Sequence, residues 1–167
     1  LREGGTATND TVMLLSNVLA GNVEITEKNA DYGEFKKALR TVNEYLAKQM
    51  AGDGEGATKL FEVKVIHAEN KAQAVTLAKS VACSSLVKTM VYGNDANWGR
   101  VLCAMGYSGA AFEPEKVDLY IESESGKLQL VANGMATDYS EELATKIFSA
   151  KEVTAIADIR QGDSSAT

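Results

Sequence analysis

Apolar and polar positions recur along this chain with two different periods. Phe61, Val63 and Val65 interleave with Glu62 and Lys64, a spacing of two that predicts a strand from about Leu60 to Ile66 with one buried and one wet face. Upstream, Phe35, Leu39, Val42, Leu46 and Met50 return every three or four residues. That spacing predicts an amphipathic helix over Tyr32 to Met50, with Lys36, Lys37, Arg40 and Glu44 on the wet side and a stop near Gly52.

Lys71 to Ala82 predicts a second helix, with Ala74, Leu77, Ala78 and Val81 facing inward. A third starts near Asp95-Ala96-Asn97-Trp98, with Asp95 as its cap, carries Val101, Leu102 and Met105, and stops at Gly106. Val117 to Ile121 and Leu128 to Val131 alternate like the two strands of a hairpin turning at Glu124-Ser125-Gly126. Glu141 to Phe148 reads as a last helix and Val153 to Ile159 as a last strand. Near the start, Thr11 to Leu15 reads as a buried strand entered from Thr8-Asn9-Asp10. The fold class is therefore α/β in the mixed, α+β sense, with helices packed on a mixed or antiparallel sheet, because a hairpin is an antiparallel device.

The 167 residues allow a single domain, or a large part of one, spanning 1–167. The net charge of −6 arises from 17 basic and 23 acidic residues with no basic patch, which argues against nucleic acid and anionic membrane as partners. Apolar runs such as Val12-Met13-Leu14-Leu15 are far shorter than a bilayer span. Cys83 and Cys103, with His67 as the lone histidine, are too few for a four-ligand zinc site, and we expect no metal. Both cysteines read as buried, reduced thiols of a cytoplasm-like compartment.

Candidate chemistry concentrates in the loop Asp53-Gly54-Glu55-Gly56-Ala57-Thr58-Lys59. Glu55 is flanked by two residues without side chains, which lets a ligand approach its carboxylate closely. Asp53-Gly54 is equally an ordinary turn signal between helix and strand. The order Gly56-Ala57-Thr58-Lys59 is wrong for a phosphate loop. His67 reads as a strand-end residue with no nucleophile tied to it. Lys88 through Arg100 gathers amides, a cation and Trp98 around two glycines. It offers Asn97 and Arg100 as candidate pocket residues, or as parts of a capped helix start with Trp98 packed.

Taken together, Thr8-Asn9-Asp10-Thr11, Asp53 through Lys59, Leu86-Val87-Lys88-Thr89, Asp95 through Arg100 and Gly106-Tyr107-Ser108-Gly109 resemble, in order and spacing, the ornithine acetyltransferase (glutamate N-acetyltransferase) family of arginine biosynthesis. The resemblance extends to Ala157-Asp158-Ile159 and Gly162-Asp163. The family often has Asp-Gly-Asp before its Thr-x-Thr-Asn-Asp-Thr run, whereas this chain reads Arg2-Glu3-Gly4-Gly5.

That resemblance implies a layered fold and a precursor that cleaves itself into α and β chains, with this chain similar to the interior of the β chain. It implies an acyltransferase that moves acetyl from N2-acetyl-L-ornithine to L-glutamate. The threonine nucleophile is expected upstream of Leu1, so no catalytic residue is expected in this chain. The substrate-binding position it carries over is Glu55. It further implies no bound cofactor, with acetyl-CoA as an optional second donor, an α chain as partner in an α2β2 heterotetramer, and a cytoplasmic or organelle-matrix location. Two other functions remain open on the sequence: an N-terminal-nucleophile amidohydrolase or aminopeptidase, and a noncatalytic partner-binding subunit.

Overall fold

The computed structural model describes residues 11–167. Arg2 to Gly5 and the start of the polar run, Thr6 to Asp10, lie outside them.

A helix α1 (Ala30–Gly52) leads into strand β1 (Leu60–Ala68). Three helices follow, α2 (Lys71–Cys83), α3 (Ser85–Tyr92) and α4 (Trp98–Gly106), then a single 3₁₀ turn at Pro114–Lys116. The hairpin β2 (Asp118–Ser123) and β3 (Gly126–Ala132), the short β4 (Met135–Ala136), α5 (Glu141–Phe148), β5 (Glu152–Asp158) and β6 (Ser164–Ala166) complete the order. Among the described residues six strands form one sheet in the order β4-β3-β2-β5-β1-β6. Within it, the neighbours β5 and β1 are parallel, from Leu60 beside Glu152 to Ile66 beside Asp158. The other pairings are antiparallel, so the sheet is mixed, as the hairpin required.

Alternation decides which strand residues reach the core. Phe61, Val63 and Val65 of β1 join Leu119 and Ile121 of β2, Leu77 and Val81 of α2, and Ile147 and Phe148 of α5 in one apolar cluster. Removing such side chains from water is the main stabilising term. Glu62 and Lys64 necessarily point to the opposite side. There the Glu62 carboxylate meets the Lys48 ammonium of α1 at 2.8 Å. Polar caps define the helix starts: the Asn29, Asn70, Ser84 and Ser140 side chains accept from amides of the first turns of α1, α2, α3 and α5.

Four expectations are corrected. Thr11 to Leu15 is not a buried strand: it has no regular structure, and Val12, Met13, Leu14 and Leu15 are 74–86% exposed. Apolar character sets the demand for a partner, and no described strand lies beside this segment to meet it. The helix predicted over Tyr32 to Met50 is present, yet none of its residues is buried, and Phe35, Val42 and Leu46 are exposed. Cys83 and Cys103 are exposed rather than buried, because the inward positions of their helices go to Val81 and Ala104. The last strand is β6, not β5. Its three residues are too few to show a period.

Candidate functional site

Glu55 sits at the tip of a tight turn. The Ala57 amide donates to the Gly54 carbonyl at 2.8 Å, closing a four-residue turn with Gly56 in its third position at φ 74°. A turn of this kind needs a residue tolerant of positive φ there, which glycine is. The turn signal is thus met, with Glu55 in the second position of the turn. The turn projects Glu55 into solvent, and among the described residues its carboxylate makes no hydrogen bond or ion pair. A side chain at Gly56 would meet nothing within 4 Å, so the approach on that flank is open.

Beside the turn lies a cleft of about 1110 Å³ between the last turns of α1 and the start of β1. Tyr45, Lys48 and Met50 of α1, Thr58 and Lys59 just before β1, and Lys151 and Glu152 where β5 begins all line it; Asp53 and Ala57 belong to the lining while Glu55 does not.

Lys59 was not singled out as a site residue by sequence, and it turns out to be the hub of this region. Its ammonium donates to the Val91 carbonyl at 3.1 Å, to the Asn94 Oδ1 and to the Phe148 carbonyl. Three donors meet three acceptors, two of them carbonyls from the last turns of α3 and α5, where the helix dipole favours a cation. Burial, and then the neighbouring Lys151 charge, push its pKa below that of an ordinary lysine. The only signal in the sequence is a lysine placed directly before an apolar strand.

Asn97 and Arg100 are not drawn toward Glu55. Asn97 occupies the cap position of α4, is exposed, and makes no side-chain capping bond. Arg100 turns back to α3, donating to the Leu86 carbonyl at 3.0 Å and to Thr89 Oγ1 at 2.8 Å. Asp95 does not cap α4, contrary to expectation. Its amide instead returns to the Met90 carbonyl at 3.1 Å and finishes α3, so the helix start falls two residues later. Trp98 packs against the core, as its segment predicted. The Lys88 to Tyr92 stretch, read as polar pocket material, is the second half of α3 with Met90 and Val91 inward.

At the far end of β1, His67 Nδ1 lies 2.9 Å from the Asp158 carboxylate, a strand-end pairing that matches its predicted place. Among the described residues no three His, Cys, Asp or Glu side chains converge as metal ligands. No single described helix is long and apolar enough to cross a membrane.

The family model of ArgJ matches residues 2–167. The chain belongs to the ArgJ family. It is 46% identical over 160 residues to the arginine biosynthesis bifunctional protein ArgJ of Thermotoga neapolitana, covering 96% of this chain and 40% of that protein. The ArgJ protein of the same description from Symbiobacterium thermophilum is 47% identical over 165 residues, with 99% of this chain and 40% of that protein covered. Among solved structures, the arginine biosynthesis bifunctional protein ArgJ of Bacillus halodurans superposes with a TM-score of 0.88 at 41% identity, covering 98% of this chain and 75% of that one. The chain spans about 40% of the length of the curated ArgJ relatives it matches. The ArgJ family is the one that the five motifs resemble, and the mixed sheet belongs to its fold.

Proposed function

We propose that the complete protein is a glutamate N-acetyltransferase (ornithine acetyltransferase) of arginine biosynthesis, and that this chain supplies the β-chain scaffold and one substrate contact. Membership of the ArgJ family across residues 2–167 carries the reading, supported by relatives named for arginine biosynthesis.

In this reaction a threonine freed by self-cleavage, on a segment preceding Leu1, attacks the acetyl carbonyl of N2-acetylornithine. Its own amine takes the hydroxyl proton. Collapse of the tetrahedral adduct breaks the amide C–N bond, and ornithine leaves with that proton. The glutamate amine then attacks the acetyl-threonine and regenerates the hydroxyl. Each adduct carries an oxyanion that needs aimed donors, which belong to the α chain. Glu55 binds an ammonium of the amino-acid substrate. Its exposed carboxylate, unpaired among the described residues at the tip of an open turn, supports that role.

The exposed apolar run Val12 to Leu15 supports coverage by the α chain in an α2β2 heterotetramer. Chemistry of this kind needs no bound cofactor, and acetyl-CoA is proposed as a second donor. The setting proposed is the cytoplasm, or an organelle matrix in a eukaryote.

The test is made on the complete protein incubated with N2-acetylornithine, with and without glutamate. Acetylglutamate and ornithine are expected in equal amounts, with an acetyl-enzyme adduct seen by mass when glutamate is withheld. Glutamate-independent release of acetate would instead make the protein a hydrolase. Glu55→Gln is expected to raise KM for acetylornithine, and an unchanged kcat/KM would remove Glu55 from the site.

A further inference from the structure

We propose that Lys59 is a positioning residue, holding the turn that carries Glu55 in its working orientation; this rests on the reading of Glu55 as a substrate contact. The connection from α1 to β1 has few other fixings. Within it, the Ala57 to Gly54 hydrogen bond shapes the turn without tying it to the body, and the Asp53 amide returns to Gln49 within α1. No residue of α1 is buried, and the Lys48 to Glu62 contact is its one ion pair to the sheet among the described residues. The turn is therefore anchored from its downstream side.

That anchor has two parts. The Leu60 amide donates to the Lys151 carbonyl at 2.8 Å and begins the ladder with β5. One residue earlier, Lys59 ties the backbone to Val91 and Asn94 at the end of α3 and to Phe148 at the end of α5. A lysine suits this place because a compact ammonium presents three donors to three oxygens arriving from different elements. Arginine's planar fork does not reproduce that arrangement. Three residues separate Lys59 from Glu55, so a shift at the anchor passes directly into the position of the carboxylate.

The experiment uses the complete enzyme with Lys59→Met, Glu55→Gln and the double variant. It reads kcat and KM for N2-acetylornithine together with amide hydrogen exchange over residues 53–58. Lys59→Met is expected to raise KM about tenfold while kcat changes much less, since misplacing a contact by about 1 Å is enough for such losses. Exchange over 53–58 is expected to accelerate, and the double variant to be no worse than Glu55→Gln alone, because the two substitutions remove the same contact. Asn94→Gly keeps a residue that tolerates the φ of 55° at that position and removes one acceptor. It is expected to raise KM in the same direction by about threefold even if Lys59→Met does not fold.

Fully additive losses, or a wild-type KM in both Lys59→Met and Asn94→Gly with Glu55→Gln impaired, would overturn the positioning role while leaving Glu55 in the site. A neutral Glu55→Gln would instead overturn the reading on which this one rests, and the positioning role with it.

Discussion

The guanidinium of Arg160, at the end of β5, donates to the buried carboxylate of Asp118 at the start of β2. The same carboxylate accepts from the Asn133 amide at 2.8 Å, and Asn133 Oδ1 accepts a second Arg160 donor at 2.6 Å. Three strand ends are thereby closed by one acidic side chain. Asp118→Ala is expected to cost about 2 kcal/mol, because it leaves a backbone amide without its acceptor. Asp118→Asn keeps an oxygen for Asn133, and the expected loss is about 1 kcal/mol. Urea denaturation of the complete protein measures both, and equal losses would show that Asn133 is not the contact that matters.

Gly134 sits at φ 74°, where a Cβ would stand 2.6 Å from the Pro114 carbonyl oxygen and 2.9 Å from Glu115 Cα. Both neighbours are backbone and have no rotamer by which to move. Gly134→Ala is expected to destabilise by about 2–4 kcal/mol, from the clash and the positive φ together. A melting temperature unchanged from wild type would contradict this packing of the β3–β4 turn onto the 3₁₀ turn.

Two tyrosines set an alkaline limit. Burial, followed by the Asp118 charge, raises the pKa of Tyr120, and burial, followed by Glu141, raises that of Tyr139. A raised folded-state value means that the unfolded chain loses its phenolic protons first, near pH 10. Stability from these groups is complete below pH 10 and is lost as pH rises through their higher folded values. The double variant Tyr120→Phe, Tyr139→Phe is therefore expected to show a shallower fall of stability above pH 10 than wild type. Parallel curves from pH 10 upward would rule this out.

Arg100 links α4 to α3 through Leu86 and Thr89. Arg100→Met is expected to lower stability by about 1 kcal/mol, with kcat/KM for acetyl transfer unchanged. A loss of kcat/KM at full stability would instead return Arg100 to the pocket.

Local pattern made much of the fold legible. The period of two in β1, the hairpin at Glu124-Ser125, and the matched boundaries of α5 all follow from alternation and caps that lie within a few residues of one another. The reading failed where the deciding partner is distant or absent. Thr11 to Leu15 has the composition of a buried strand, but burial needs a neighbour that composition cannot supply. Helix α3 went unread because its two turns leave too little length for a period to emerge from a polar-looking segment. The tight turn around Glu55 was legible because glycines mark it locally. Lys59 was not, since its acceptors come from α3, the Asn94 side chain and α5, much later in the chain.

The parallel pairing of β1 with β5 bears on how this chain comes to be assembled. Leu60 finds its ladder partner at Glu152, and β2 joins the sheet through β5 rather than through β1. On the ribosome, β1 and the helices after it emerge well before the strand that separates them from the hairpin. Closing so distant a pair is slow, and until Asp158 has left the exit tunnel β1 lacks the neighbour that joins it to the hairpin. The interval between those two moments is when the nascent chain most needs protection from aggregation.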